Sequence, residues 1–409
     1  MQPSPTDPPY RNPTRWRMLA LVTAVYTCFG ITVSTIAPVV GPIIDDLHMT
    51  NWQMGLVLGV WQLVFIGTAP PLGALVDRIG ERLAIAVGLA VILASLALRG
   101  LAVNFPTLLL AVAIFGVGGP IISVGVPKVV ALWFDRRERG PAAGTYVIGR
   151  DVGVAVVLAT AASFVVGLTG SWRGMSLVYG VFVFVVLVAW LAFAKNAPPG
   201  AQAQRAEPQS AEECEASDDA GGSLALLRLR NVQLVLLLGF ATFFLNHGLV
   251  NWLPSLLEES GRSLESAGRW VALGLGVSMI GHILVPTIAR HGYRAWALGI
   301  MLAVGSATSV GLLFTTGAAQ VAMLLVGTLA RMPTMQVLTL VLMETKGIGA
   351  RRIGAAAGLF FAASEIGGFS GPLIMGVLRD LTGDLFLGVI VLSVTTAVLT
   401  LFTPLLKER

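Results

Sequence analysis

Charge is the scarcest thing in this chain. Aspartate, glutamate, lysine and arginine make up 12% of its 409 residues, against about 25% in an ordinary soluble domain. With so few charges the 55% of residues that are hydrophobic must meet something other than water. Cysteine is almost as rare. Cys28 lies in an apolar run and Cys214 in a polar one, so no disulfide is expected. None of the four histidines has a nucleophile beside it in sequence, no zinc-ligand spacing occurs, and no Walker-type phosphate loop is present. The expectation is therefore a protein that is not an enzyme, with no metal, no cofactor and no ATP-driven engine. The net charge of +5 is spread over short loops, which speaks against nucleic acid as a partner. Residues 1–15 are polar and proline-rich, with no removable signal, and read as a disordered tail.

What fills the chain instead is a succession of apolar runs, at about 16–40, 51–76, 83–103, 107–133, 140–168 and 173–193, then 231–257, 264–289, 294–316, 319–344, 353–378 and 385–405. Each is long enough to cross a bilayer, which takes about 20 helical residues. Each is expected to be a helix, because backbone facing lipid must satisfy its own hydrogen bonds. The 47 glycines suit helices packed closely in a membrane. Between the two sets of six lies the polar stretch 195–230, with Pro198-Pro199-Gly200 and the acids Glu207, Glu212, Glu213, Glu215, Asp218 and Asp219; it reads as a flexible tether. The fold class is thus an all-α membrane protein of twelve transmembrane helices, divided as tail 1–15, bundle 16–194, linker 195–230 and bundle 231–409.

The decapeptide Gly73-Ala-Leu-Val-Asp77-Arg78-Ile-Gly80-Glu81-Arg82 sits between two of these runs as a tight hairpin at the membrane surface. Its counterpart lies further on. Adding 212 carries Pro42, Asp46, Arg78, Gly80 and Arg82 onto Pro254, Glu258, Arg290, Gly292 and Arg294. Adding 214 carries Gly140, Gly144, Asp151 and Gly153 onto Gly354, Gly358, Glu365 and Gly367. The chain therefore reads as two copies of one six-helix unit. The decapeptide resembles the loop between helices 2 and 3 of the major facilitator superfamily of secondary transporters, except that Glu81 stands where that family usually has a basic residue. The resemblance implies two pseudo-symmetric six-helix bundles, and a gating role for Gly73, Asp77, Arg78, Gly80 and Arg82 in latching the halves. The segment Ser364-Glu365-Ile-Gly367-Gly368-Phe-Ser-Gly371-Pro372 is similar to the end of helix 11 in many members, including carriers of small organic anions. The glycine-rich run around Arg150-Asp151 resembles helix 5 of the nitrate and cyanate carriers, in which amides usually replace the charged pair. The Gly-Pro motif late in helix 5 of drug exporters is missing.

Nineteen of the 27 lysines and arginines fall on one side of the spans and five on the other, the latter being Arg99, Arg173, Arg262, Arg269 and Arg379. The positive-inside rule then makes both termini cytoplasmic in a multi-pass protein of the plasma (inner) membrane. Lys128 lies a few residues from a cytoplasmic loop and is expected to snorkel.

Ionisable groups at bilayer depth cost about 2.5 to 3.5 kcal/mol or more on insertion scales, so each needs a partner or water. Arg150, Asp151, His247, Arg331 and Glu365 all fall near the middle of a run. Arg150 and Arg331 are candidate contacts for a small anion, since each guanidinium fork can grip a carboxylate; ion pairing within each half is the alternative. Asp151 and Glu365 occupy equivalent places and are candidates for a coupling proton. Tyr146, Asn246, His247, Asn251, Gln336 and Trp61 complete the proposed substrate contacts. The expected protein is a monomeric secondary transporter in the lipid bilayer, moving a small organic carboxylate with a proton or by exchange. An exporter of hydrophobic compounds, and a receptor or scaffold that keeps the fold without transport, are the rivals.

Overall fold

The structure is a computed structural model that describes residues 14–135, 138–196, 225–289, 292–345, 348 and 352–406. Most of the tail, the centre of the linker with its acids, and Arg136, Arg137, Arg290, Lys346 and Arg351 lie outside the described residues. Among those described there is no strand. The α-helices are α1 (Thr14–Ser34), α2 (Val40–Leu47), α3 (Asn51–Ile79), α4 (Glu81–Gly100), α5 (Phe105–Trp133), α6 (Arg139–Thr160), α7 (Val166–Thr169) and α8 (Trp172–Phe193). After the linker come α9 (Arg230–Glu259), α10 (Leu264–Ile288), α11 (Arg294–Phe314), α12 (Gly317–Arg331), α13 (Thr334–Met343), α14 (Ile353–Thr382) and α15 (Phe386–Thr400). Eleven helical stretches among the described residues are long and apolar enough to span a membrane. With the 25-residue α10 they account for the expected twelve.

Four details depart from the sequence expectation. The first span stops at Ser34 instead of reaching Val40, and a 3-10 turn at Ala37–Val39 leads into α2. Pro38 has no N–H to continue the helix, and the Thr32 carbonyl that would extend it accepts instead from Arg99 Nη1 at 2.7 Å. Arg99 itself is buried, not a loop residue; it also donates to Thr35 Oγ1 at 2.6 Å. The decapeptide is mostly helix, since α3 continues to Ile79 and only Gly80 intervenes before α4. Gly80 holds φ at 80°, the left-handed region that favours glycine. The tenth span is broken between α12 and α13, where Pro333 lacks the N–H an unbroken helix needs.

Described residues 14–35 and 64–196 form one compact unit, and 36–63 with 225–406 form another. In the first, α1 lies backbone to backbone on α6: a Cβ added at Gly153 would sit 2.4 Å from the Thr27 carbonyl oxygen. In the second, α9 lies on α14 in the same manner, a Cβ at Gly367 falling 2.2 Å from the Phe240 carbonyl oxygen. Gly153 and Gly367 are the pair related by the 214-residue offset, so the duplication is realised as one repeated packing contact. Within the second unit the carboxylate of Asp380, at the end of α14, accepts from the Asn51 and Trp52 N–H groups at 2.9 and 2.7 Å and from Asn51 Nδ2 at 2.8 Å. An acid is favourable there, because the first N–H groups of a helix have no partner inside it.

Candidate functional site

The ionisable residues near mid-depth belong to both units. At 1.5 Å per helical residue, Arg150, Asp151, His247, Arg331 and Glu365 each lie within roughly 6 Å of the middle of their span. In the first unit Arg150 is half-buried on α6. Its Nε is buried without a hydrogen bond, and its guanidinium makes no ion pair among the described residues. Asp151, next to it, is half-buried and does not pair with it, as expected of neighbours pointing about 100° apart. Tyr146, one turn earlier, is buried and meets the Tyr26 ring edge-on with centroids 5.2 Å apart.

In the second unit Arg331 is only 2% exposed. Its Nη1 donates to Asn246 Oδ1 at 2.9 Å, and Asn246 Nδ2 donates back to the Arg331 carbonyl at 3.3 Å. That carbonyl is open to capture because the helix breaks just after it. The aliphatic stem lies against Gly305, where any side chain would collide with it. Arg331 is thus held at both ends by an amide dipole, with no acid pairing it among the described residues.

One helical position further, His247 Nδ1 lies 3.0 Å from Gln62 Nε2, and its ring packs on Phe243 and Trp61 with centroids at 4.9 and 6.3 Å. Gln62 is wholly buried. The buried Glu365 joins the same neighbourhood. A Cβ at Gly368 would lie 3.3 Å from Glu365 Oε2 and 3.1 Å from Gln62 Nε2. Asn251 donates to the His247 carbonyl at 2.8 Å, closing on its own helix. Gln336 bonds to His282.

At the Asp77 turn, Lys128 Nζ reaches Asp77 Oδ1 at 2.9 Å and does not run out to solvent alone. Arg82 Nη2 donates to the Leu191 carbonyl at 3.1 Å, and Trp190 Nε1 to the Arg82 carbonyl at 2.9 Å. Arg78 is exposed, and Gly73 lies inside α3. Arg294, the repeat counterpart of Arg82, pairs with Glu344.

The structure therefore brings Asn246 to Arg331 and Trp61 to His247. Tyr146 and Arg150 share α6 and are not bonded to each other. Sequence reasoning missed Gln62, the acidic partner of Lys128 and the buried Arg99. Gln62 carried one signal, being the only amide in the apolar stretch 56–76.

Twelve apolar helices in two copies, with charged groups near mid-depth, define an integral multi-pass membrane protein. The sequence model of the Major Facilitator Superfamily matches residues 22–372, and the chain belongs to that family. It is 24% identical to a hexuronate transporter of Bacillus subtilis (strain 168) over 83% of this chain and 82% of that one. It is 27% identical to the 3-(3-hydroxy-phenyl)propionate transporter of Escherichia coli (strain K12) over 86% and 84% of the two chains. The fold matches the crystal structure of a bacterial homologue of the human lysosomal transporter Spinster, in an inward-facing and occupied conformation. The TM-score is 0.82 at 17% identity, covering 98% of this chain and 97% of that one.

Proposed function

We propose that this transporter is a secondary carrier of small organic carboxylates, working by alternating access in the inner membrane with both termini cytoplasmic. The observation that carries the reading is Arg150. A guanidinium stays charged at any working pH, and this one stands near mid-depth with no acid pairing it among the described residues. A carboxylate passenger would supply the missing charge in a bidentate grip. Two relatives named for acids, a hexuronate and a hydroxyphenylpropionate, support the same class. Arg331 has a weaker claim as an anion contact, since Asn246 already occupies it. Asp77, Arg78 and Arg82 are assigned the cytoplasmic gate, and the lysine and arginine bias supports the orientation.

Thermal shift of the purified protein tests this against D-galacturonate, D-glucuronate, 3-(3-hydroxyphenyl)propionate, neutral sugars and a lipophilic cation. A carboxylate at 100 times its dissociation constant should add about 2.7 kcal/mol of stability, and Arg150→Ala should erase the gain. Silence from every carboxylate with a response to the cation would favour an exporter of hydrophobic compounds.

A further inference from the structure

We infer that His247, Gln62 and Glu365 form the proton-binding cluster of this carrier, with Gln62 the positioning residue that lets His247 gain and lose a proton without losing its hydrogen bond. The inference rests on the anion-carrier reading above and adds to it which residues move the proton.

The three side chains come from three helices of one unit. Gln62 belongs to the part of α3 that packs with the second unit, His247 to α9 and Glu365 to α14. Each is near the middle of its span, within about one helical turn. Gln62 is wholly buried in an otherwise apolar stretch, and a buried amide needs partners for both its ends. Its Nε2 is 3.0 Å from His247 Nδ1. Nε2 can only donate, so the imidazole in this arrangement accepts at Nδ1 and is neutral, with its proton on the other nitrogen.

The other end of the amide supplies the second state. Gln62 Oε1 is buried and has no hydrogen bond among the described residues. The terminal torsion of glutamine is roughly two-fold, so a half turn exchanges oxygen for nitrogen within the same volume. Oε1 would then face Nδ1 and accept from the N–H that protonation creates there. A leucine or methionine at this position could serve neither state; an amide serves both. Glu365 flanks the same space over Gly368, its Oε2 on the side of Gln62 Nε2, and in the proposed cluster it would offset the charge of an imidazolium.

The other charged or titratable groups on elements packed against α9 lie elsewhere: Asp380 of α14 accepts from the start of α3, and Arg228 sits in the 3-10 turn that precedes α9. Arg331 is bonded to Asn246, and His282 of α10 to Gln336. Glu265 and Arg269 pair with each other at the far end of α10, Arg379 pairs with Glu259 at the end of α14, and Arg294 pairs with Glu344 at the start of α11. Asp45 and Asp46 lie at the end of α2, Arg230 opens α9 and Glu258 lies at its other end. The residues of α13 and α15 include no charged side chain. In the proposed step a proton from water on one side bonds to Nδ1 and is returned to water on the other side. With a monoanionic carboxylate as passenger, the pair moves without net charge.

Proteoliposomes containing a pH-sensitive dye, with D-galacturonate as the probe, test the inference. Galacturonate entering with a proton should acidify the lumen of wild-type vesicles. Gln62→Met, similar in volume but with no amide, should lower proton-gradient-driven accumulation at least tenfold and flatten its pH profile. Counterflow exchange, which needs no net proton movement, should fall less than threefold and serves to verify that the variant is folded. A Gln62→Met protein that acidifies vesicles with the wild-type pH profile would overturn the inference. So would wild-type protein that exchanges galacturonate with no acidification, although the anion reading would then stand. Wild-type protein that neither moves nor is stabilised by any carboxylate would bring down both.

Discussion

Two arginines near mid-depth, one in each unit, have met opposite fates. Arg331 is sealed to 2% exposure, its stem laid over Gly305 and its head and carbonyl both bonded to Asn246. Arg150 keeps its guanidinium unengaged by any described residue, with Nε turned away from solvent. Residue type and depth are shared, so the surroundings decide the role. Both Nε atoms are buried without a partner, so the difference lies at the heads: a sealed fork bonded to an amide is part of the scaffold, and a half-buried one with no such bond can take a passenger.

The contrast can be broken in several ways. The largest effect belongs to Arg150→Ala, which should reduce galacturonate uptake at least a hundredfold with little change in melting temperature; uptake at the wild-type rate would remove the contrast altogether. Asn246→Leu strands a buried charge and should cost about 3 kcal/mol of stability. Adding Arg331→Met should recover most of that loss in a thermal melt, because a buried polar pair replaced by apolar groups of similar shape is often near neutral. Gly153→Ala and Gly367→Ala each push a methyl group onto a carbonyl oxygen. Each should cost about 2 kcal/mol, and matching losses would establish that the two units share their central contact in energy as well as geometry. The smallest effect is Lys128→Ala. Its partner Asp77 has a 73% exposed side chain, so the loss should stay below about 1 kcal/mol.

Much of this was legible beforehand, for physical reasons. Apolar run length dictates spans, and the 214-residue offset made Gly153 and Gly367 equivalent before any contact was known. Charged residues inside apolar runs announce themselves, which is how Arg150, Asp151, His247, Arg331 and Glu365 came to notice. Pairing is another matter, because a partner across helices leaves no local trace. Nothing near Arg331 in sequence points to Asn246, 85 positions away, and nothing near Gln62 points to His247, 185 positions away. Arg99 looked like an ordinary loop cation because it sits at the end of its run; only the three-dimensional fold turns it inward. Helix breaks at Pro38 and Pro333 were also passed over, since apolar content continues through both.

The start of α3 carries one more lesson. Its opening N–H groups are met by an acid 329 residues further along the chain. During synthesis, therefore, that end of α3 waits through the production of nearly all the remaining helices before Asp380 arrives. The beginning of the second span is among the earliest parts of the protein to be made and among the last to be completed.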